Sequence, residues 1–279
     1  MPILRPRLKL SSIQTSSDPG LEYLESQRTW AHRMAPDRAR VAQFFSDSAA
    51  YPAAFPKSKR FKLAEKISLQ PRFDRLEKPF LQTLATRRTH REFGSAHANF
   101  EDISTLFLGA FGEQRHLGKL ISETTTTRKG FRTTPSPGGL FSSEIYYVSL
   151  NTDGLARGLY HFQPEDGTLE VLPWPISIEM IDQLIDLGPQ HQLREASGII
   201  LLTSILSRMR VKYGHRYLRF CMMEAGCVCN SFDLVANTLN LNLWHQGEVD
   251  ELQCRRILHI DGINEAILYA AVLMGSRTV

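Results

Sequence analysis

Apolar residues recur at helical spacing in several stretches of this chain. The clearest is Asn99–Gly112, where an Asn cap and early acidic residues precede apolar positions three and four residues apart and a terminal glycine. The longest is Tyr217–Leu241, whose broad apolar face predicts a helix covered on most sides, with a subunit contact as one source of cover. Other helices are predicted over 21–34, over 36–48, from about Lys78, over 177–188 and from Asp250.

Strand signals are concentrated in the second half of the chain. Three β-rich runs, 144–150, 158–162 and 168–172, are separated by turn residues and predict an antiparallel meander. Two almost wholly apolar runs, 198–206 and 266–274, predict buried strands. Because helices and strands alternate without an internal repeat, the pattern predicts a layered α+β or α/β fold.

The front of the chain differs from the rest in charge. Residues 1–80 carry 15 Lys and Arg against 8 Asp and Glu, whereas the remainder carries 18 against 21. The segment 51–60, aromatic and basic with two prolines, is interpreted as a linker or partner-facing segment, with a stabilising wrap as the alternative. We therefore divide the chain into a basic, helical extension, 1–77, and a domain, 78–279. Residues 113–134 lack apolar periodicity and predict a mobile surface loop.

Composition narrows the class of protein. No apolar run approaches the roughly 20 residues that a membrane span needs, and the start lacks a signal-peptide core, so we expect a cytoplasmic protein without a membrane partner. Four cysteines and nine histidines show no disulfide framework and no metal-ligand spacing, which predicts reduced, structural cysteines and no metal. The basic excess is modest and interleaved with carboxylates, so a peptide or acidic protein is a better partner than nucleic acid.

Two motifs suggest a binding site for an anion and a flat ring. The stretch Arg87–Arg91 places three guanidinium groups and a hydroxyl directly after an apolar run. Arginine offers a fixed fork of donors that matches phosphate oxygens, although a solvated helix end is the alternative reading. Farther along, residues 135–139 read Pro-Ser-Pro-Gly-Gly, which fixes some backbone angles and frees others, so that main chain can approach a flat ligand.

The order of the motifs resembles that of the nitroreductase-like flavoproteins, and within them the SagB-type peptide dehydrogenases. The resemblance covers about residues 80–279 and is carried by Arg87-Arg88-Thr89-x-Arg91-x-Phe93, Pro135-Ser136-Pro137-Gly138-Gly139, Glu144-Ile145-Tyr146, Gly158-Leu159-Tyr160, Tyr213-x-x-Arg216-Tyr217, Glu224-x-Gly226 and Gly275-Ser276-Arg277. It implies an α+β fold around a mainly antiparallel sheet flanked by helices. It also implies a homodimer formed by long central helices, with one FMN at each subunit interface.

The same resemblance implies roles for individual residues. Arg87 and Thr89 would hold the FMN phosphate, and Arg91 would lie by the N1/O2 edge of the ring, where negative charge accumulates on reduction. The loop 135–138 would line the ring from the partner subunit. The full set of implied cofactor-binding residues is Arg87, Arg88, Thr89, Arg91, Pro135, Ser136, Pro137, Gly138, Gln246, Gly247, Ser276 and Arg277. In that set the backbone at Gln246 and Gly247 would approach N5. Cys227 departs from the family pattern, which commonly has His there.

The pair Lys212-Tyr213 points to the substrate. A Lys-Tyr pair at this place resembles the catalytic pair of azoline dehydrogenases, which oxidise thiazoline or oxazoline rings of a ribosomally made peptide to azoles. One of the two residues would remove the ring proton. Lys212 can act as a base only if burial, or cations such as Arg210 and Arg216, lower its pKa. The alternative is a surface lysine beside a tyrosine at the edge of the core.

Three functions are therefore considered. The first is an FMN-dependent dehydrogenase in ribosomal peptide maturation, with a precursor peptide as substrate and the basic front engaging a leader peptide or a partner cyclase. The second is an NAD(P)H-dependent reductase of nitroaromatics, quinones or dehydroamino acids, although no strand leads into a G-x-G-x-x-G motif. The third is a flavin-free dimeric scaffold that binds peptides, which the intact Arg-Arg-Thr-x-Arg motif disfavours.

Overall fold

A computed structural model of the chain describes residues 19–27, 31–46, 58–93, 96–117, 130–187 and 193–275. The helices of these ranges are α1 Pro19–Ser26, α2 Ala31–Ser46, α3 Phe80–Thr86, α4 Phe100–Phe111, α5 Ile178–Asp182, α6 Leu206–Tyr213, α7 Tyr217–Thr238 and α8 Glu251–Leu258. The strands are β1 Lys66–Ser68, β2 Ser143–Ser149, β3 Gly158–Gln163, β4 Thr168–Leu172, β5 Gly198–Ile205, β6 Asn242–Gln246 and β7 Glu265–Met274. Within the described ranges, no helix is both long and apolar enough to cross a membrane.

These strands form one sheet in the order β1-β4-β3-β2-β5-β7-β6, and each neighbouring pair is antiparallel. The predicted meander is present as β2-β3-β4, with Tyr146 opposite His161 and Leu159 opposite Leu172. The two apolar runs are the neighbouring central strands β5 and β7. The predicted α+β class with a mainly antiparallel sheet is therefore confirmed.

Helices cover both faces of the sheet. Because side chains alternate along a strand, Tyr147 faces α4 and α7, whereas Tyr146 faces the layer that contains α8. On the first face, the Phe107 ring of α4 meets the Phe232 ring of α7 edge to face at 5.5 Å. The long apolar helix predicted from the sequence is thus α7, and its buried side rests on α4 and the sheet.

Local capping explains why α4 was predicted with nearly correct bounds. The Asn99 side chain accepts a hydrogen bond from the Asp102 backbone N–H at 2.8 Å, and the Asp102 carboxylate accepts one from the Asn99 N–H. This reciprocal capping satisfies two donors that a helix start leaves open. Gly112 follows the last helical residue, as the pattern indicated.

Three helix predictions are wrong in their bounds, and the first of them, over 21–34, corresponds to α1, which ends at Ser26. The break predicted at Pro36 is absent, because α2 begins at Ala31 and runs through Pro36, at the cost of one backbone hydrogen bond near its start. The helix predicted over 177–188 ends at Asp182, although Ser177 caps it as expected. The chain leaves the helix there and buries Leu184 in the core on the α8 side of the sheet.

The surface loop predicted over 113–134 is only partly at the surface in the part that the structure describes. Glu113, Arg132 and Thr134 are buried, and residues 118–129 lie outside the described ranges. The Thr134 hydroxyl donates to the Ala110 carbonyl at 2.6 Å. The Arg132 guanidinium lies 4.5 Å from the centre of the Phe111 ring, so both ends of the segment are fixed to the core.

Basic residues ahead of the predicted domain pack onto the sheet. The Lys59 backbone N–H donates to Glu144 Oε1 at 2.8 Å, and its ammonium lies 2.7 Å from Glu265 Oε2 and 2.9 Å from the Tyr146 hydroxyl. At residue 59, these contacts are those expected of a segment that wraps around the domain and stabilises it. Residues 51–57 lie outside the described ranges. The boundary after residue 77, and what residues 1–77 bind, stay predictions.

Candidate active site

Helix α6 presents the predicted catalytic pair. It follows β5 directly and is anchored through the buried side chains of Leu206 and Met209. Gly214 ends it at φ +55°, a conformation that glycine adopts at little cost. The Lys212 side chain is turned inward, since only 6% of the residue is exposed. The reading of Lys212 as a surface lysine is therefore wrong.

A buried carboxylate fixes the loop 135–139 in front of this pair. The Ser136 hydroxyl donates to Glu224, whose other carboxylate oxygen accepts from the Ser142 hydroxyl at 3.0 Å and the Ser143 backbone N–H at 2.8 Å. Ser136 also accepts the Phe141 backbone N–H at 2.9 Å. Charge-assisted bonds of this kind are about twice as strong as neutral ones, so Glu224 holds both ends of the loop.

The loop and the pair meet at Gly138. Its φ is +66°, and a Cβ built there would lie 2.6 Å from Lys212 Nζ and 2.8 Å from the Tyr213 hydroxyl. Both distances are too short for a real Cβ, so only a residue without a side chain lets the amine and the phenol approach this backbone. Two motifs that lie more than 70 residues apart in the sequence thus form one surface.

The surroundings of the pair suit proton transfer. Burial lowers the pKa of the Lys212 amine, which favours the uncharged form that a base requires. Burial is the cause of this shift, and the predicted neighbouring cation Arg210 is directed instead at Tyr217, whose hydroxyl accepts from its guanidinium at 2.8 Å. Burial raises the pKa of Tyr213, and its ring stacks on Phe220 at 3.9 Å, so the phenol stays protonated at neutral pH.

Arg87 belongs to a second cluster, at the end of β6. Its backbone N–H donates to the Thr83 carbonyl at the end of α3, and its guanidinium lies 3.8 Å from one Asp233 oxygen. The other Asp233 oxygen is hydrogen bonded to His245 Nε2. The His245 ring stacks on Tyr269 with centroids 5.1 Å apart. Arg87 is thereby linked through Asp233 to His245, which directly precedes the predicted Gln246 and Gly247 in the sequence.

The other predicted cofactor residues differ in how far the structure supports them. Arg88 donates to the Ala85 and Arg87 carbonyls at 3.1 and 2.8 Å and so caps the end of α3. Thr89 and Arg91 are exposed in the following coil. Around Gly247 there is open space, and Ser276 and Arg277 lie outside the described ranges. Among the described residues, only Arg87 of the predicted phosphate ligands is tied to the β6 end.

The β6 cluster fits a polar, anionic ligand. His245 Nδ1 and the Tyr269 hydroxyl are buried atoms without a hydrogen-bond partner in the described part of the chain. A buried donor or acceptor left in this state costs about 1–3 kcal/mol, which a ligand with hydroxyl or phosphate oxygens would offset. The donors of Arg87 and the open backbone at Gly247 add to this character. The residues present therefore fit a polar cofactor, and flavin mononucleotide belongs to that class.

The two clusters lie at different places along α7. Glu224 fixes the loop beside Lys212, and Asp233 pairs with Arg87, nine residues farther along the helix. At the rise of an α-helix this separation is about 14 Å. If the loop lines the flavin of a second subunit, as the resemblance implies, one site would combine the loop of one chain with the Arg87 cluster of the other. That arrangement stays a prediction.

Sequence reasoning missed a buried ion network behind the site. His161 lies between two carboxylates, with Nε2 2.8 Å from Glu144 and Nδ1 3.0 Å from Glu170. Arg208 of α6 lies 2.6 Å from Glu144 and donates to the Phe141 carbonyl at 2.8 Å. The network thus holds α6 and the loop end against the sheet. Charged residues within otherwise apolar strands were the signal that could have revealed it.

Comparisons with known proteins agree with this architecture. The model of the Nitroreductase family matches residues 84–276. A protein of Methanocaldococcus jannaschii described as nitroreductase MJ1384 is 26% identical over 178 residues, covering 63% of this chain and 82% of that protein.

Solved structures show the same fold. A protein of Anabaena variabilis described as a nitroreductase matches 78% of this chain with a TM-score of 0.63 and 23% identity. The match covers only 43% of the Anabaena chain, so our chain spans less than half of its length. A chain of the E. coli microcin synthetase McbBCD complex with truncated pro-MccB17 bound matches with a TM-score of 0.55 and 16% identity, covering 94% of this chain and 98% of its own. Since the family model spans well over half of the sequence, this chain belongs to the Nitroreductase family of flavoprotein-type oxidoreductases.

Proposed function

We propose that this protein is an FMN-dependent dehydrogenase of the SagB type that oxidises azoline rings in a precursor peptide to azoles. The observation that carries the proposal is that Lys212 and Tyr213 both approach the backbone of Gly138. Gly138 belongs to the loop that would line the flavin. An amine with a lowered pKa and a protonated phenol at one point are the groups that removal of a ring proton requires.

In this proposal each residue has a separate task. Lys212 is the base that takes the proton from the ring carbon, and Tyr213 donates a hydrogen bond that orients the ring. Glu224, through Ser136, keeps the loop in place while the substrate binds. The buried position of Lys212 limits the water that would compete for the amine.

FMN is the cofactor that this site would hold. Arg87 and the His245 and Tyr269 atoms that lack a hydrogen-bond partner among the described residues would bind its polar part, with Thr89, Arg91, Gln246, Gly247, Ser276 and Arg277 as further predicted contacts. When bound, FMN accepts the hydride that an azoline loses together with the proton. The loop 135–138 would exclude water from the ring.

The peptide substrate has support from one comparison. The matching microcin synthetase structure is described as a complex with a truncated precursor bound, and this chain matches nearly the whole of one of its chains. A precursor peptide and a partner such as a cyclase are therefore the partners that we propose. A homodimer in the cytoplasm completes the proposal.

A small-molecule reductase is the second candidate, because relatives are described as nitroreductases. The two functions differ in the source of electrons. A reductase that uses NAD(P)H would show rapid, stoichiometric bleaching of its flavin by NADPH under anaerobic conditions, whereas the dehydrogenase would be bleached by an azoline peptide. A colourless protein without flavin absorption would contradict both and favour the scaffold.

The decisive experiment is co-expression with an azoline-containing precursor peptide, followed by mass spectrometry of the peptide. We expect a loss of two hydrogens per oxidised ring with the wild-type protein and no loss with Lys212→Ala. Lys62→Ala, at an exposed lysine, is the matched control and should oxidise normally. Full oxidation by Lys212→Ala at unchanged flavin content would remove Lys212 from the mechanism.

A further inference from the structure

The N-terminal helix α2 lies against the helix that carries the proposed base. The two helices are packed together, and the Phe44 ring of α2 joins an apolar cluster that includes Leu140, Met209 and Cys221. The same cluster contacts Tyr213 and Phe220. A helix from outside the matched family segment, residues 84–276, thus borders the catalytic pair.

Phe44 is in direct contact with the Lys212 amine. The Lys212 Nζ lies 4.7 Å from the centre of the Phe44 ring, whereas the backbone of Gly138 closes the other side. The amine is therefore held between an aromatic ring and a glycine. A ring attracts an ammonium group through its negative face, but it also displaces water, and burial disfavours the charged form.

Further contacts hold the N-terminal helices in this position. The Gln27 side chain, at the end of α1, donates to the His215 carbonyl at 3.0 Å just after α6. Arg40 of α2 packs on Gly214, where a Cβ would lie 3.1 Å from the guanidinium carbon. These contacts hold α1 and α2 against the turn that ends α6.

We infer that α2 forms a wall of the active site and that Phe44 is a positioning residue, which holds the Lys212 amine against Gly138 and away from bulk water. The inference rests on the proposed role of Lys212 as the base. It gives residues 31–46 a part in the reaction, in addition to any part in binding a leader peptide. Among the described residues, the charged and titratable groups close to this part of the site include Arg40, which packs on Gly214, and Arg216 and Glu224, which act on Tyr213.

Trace acylation of the purified full-length holoprotein with acetic anhydride tests the contact without any substrate. Labelling of Lys212 between pH 6 and 10, relative to the exposed Lys62, gives both the pKa of the amine and its accessibility. In Phe44→Ala we expect the accessibility of Lys212 to rise about fivefold and its pKa to rise by roughly one unit. Gln43→Ala, an exposed neighbour on the same helix, should match the wild type.

Turnover separates a positioning role from a merely structural one. A rise of one unit in the pKa of Lys212 lowers the uncharged fraction of its amine about tenfold near neutral pH. In Phe44→Ala, kcat should therefore fall about tenfold while KM changes little. Phe44→Leu keeps the apolar cover and should retain most of kcat, and it replaces Phe44→Ala if that variant does not fold. Labelling and kcat equal to those of Gln43→Ala would overturn the inference.

The two proposals fail in different ways. If the wild-type protein oxidises no azoline, the proposed function is wrong, yet the labelling of Lys212 still decides whether α2 covers the amine. If azolines are oxidised but Lys212 is as accessible as Lys62 in the wild type, the wall is absent and the proposed function stands.

Discussion

Gly138 is the residue at which packing and chemistry meet most closely. Its positive φ favours glycine, and so does the approach of Lys212 and Tyr213 to its backbone. The adjacent Gly139 has almost the same φ, +65°, but nothing lies within 4 Å of the Cβ position. An alanine at either position would therefore strain the backbone, but only an alanine at Gly138 would also collide with the Lys212 amine.

We expect Gly138→Ala to abolish most turnover, because its methyl group displaces the amine and the phenol. Gly139→Ala carries the same conformational cost, about 1 kcal/mol, without the collision, and should lose stability but keep its activity. Thermal unfolding and azoline turnover of both variants make the comparison. Equal activity of the two alanine variants would contradict the proposed contact.

Single residues also show what the sequence could and could not reveal. The caps of α4 act within four residues, so Asn99 and Gly112 were identified from the sequence. The partners of Asp233 are Arg87 and His245, which reach it from another helix and a strand, and no local motif marks them. Lys212 and Tyr213 were found through a family resemblance, since their spacing alone is uninformative.

At the scale of elements, non-local pairing explains the errors. Strand β6 is short, with mixed polar and apolar residues, and becomes a strand only by pairing with β7, so no strand was predicted there. The same holds for β1, whose three residues pair with the edge of the sheet. Strands β5 and β7 were predicted because burial on both faces leaves an almost unbroken apolar run.

The ion network across β2, β3 and β4 predicts a defined dependence of stability on pH. Burial lowers the pKa of His161, but hydrogen bonds to Glu144 and Glu170 outweigh burial and raise it overall. Burial likewise raises the pKa of Glu144, but the charge of Arg208 and the contacts of His161 outweigh it and bring it to about 2. The pKa of Glu170 is also lowered, by the His161 hydrogen bond against burial.

A raised histidine pKa stabilises the fold below about pH 6.5, and this contribution is lost as the pH rises through the folded pKa. Lowered carboxylate pKa values stabilise it above about pH 4.5, and that contribution is lost as the pH falls through the folded values. We therefore expect stability to be greatest between these limits. Urea unfolding of the wild type at intervals from pH 2 to 9 measures the curve.

His161→Gln should flatten the alkaline decline of that curve, because it removes the group that titrates. The matched control is His215→Gln, at an exposed histidine, which should keep the wild-type shape. An alkaline decline of unchanged slope in His161→Gln would assign the pH dependence to another group.

At the scale of the whole molecule, the described residues around position 59 are bound to the sheet by contacts of different strength. Lys59 pairs with Glu265, whose side chain is 9% exposed, whereas Arg60 pairs with Glu165 and Asp166 at the surface. Lys59→Met leaves a nearly buried carboxylate without its cation and should cost about 2–3 kcal/mol of unfolding free energy. Arg60→Met should cost about 0.5 kcal/mol. Equal costs in urea unfolding would show that residue 59 does not hold the wrap.

The separation of the Lys212 and Arg87 clusters leads to a test of the two-chain site. If one site takes Arg87 from one subunit and Lys212 from the other, a mixed dimer of Arg87→Ala and Lys212→Ala retains one intact site. Co-expression of the two inactive variants should then recover about a quarter of wild-type turnover, as random pairing of subunits predicts. Each variant expressed alone is the control. No recovery in isolated mixed dimers would place both clusters in a site within one chain.

Helix α7 connects these clusters rigidly, and this constrains how the chain can vary in length. Glu224 and Asp233 must face the loop and Arg87, respectively, at a fixed angle around one helical axis. A single inserted residue between them would rotate one carboxylate by about 100° relative to the other. Homologues that keep both contacts should therefore show no insertions or deletions between these two positions, even where surface segments differ in length.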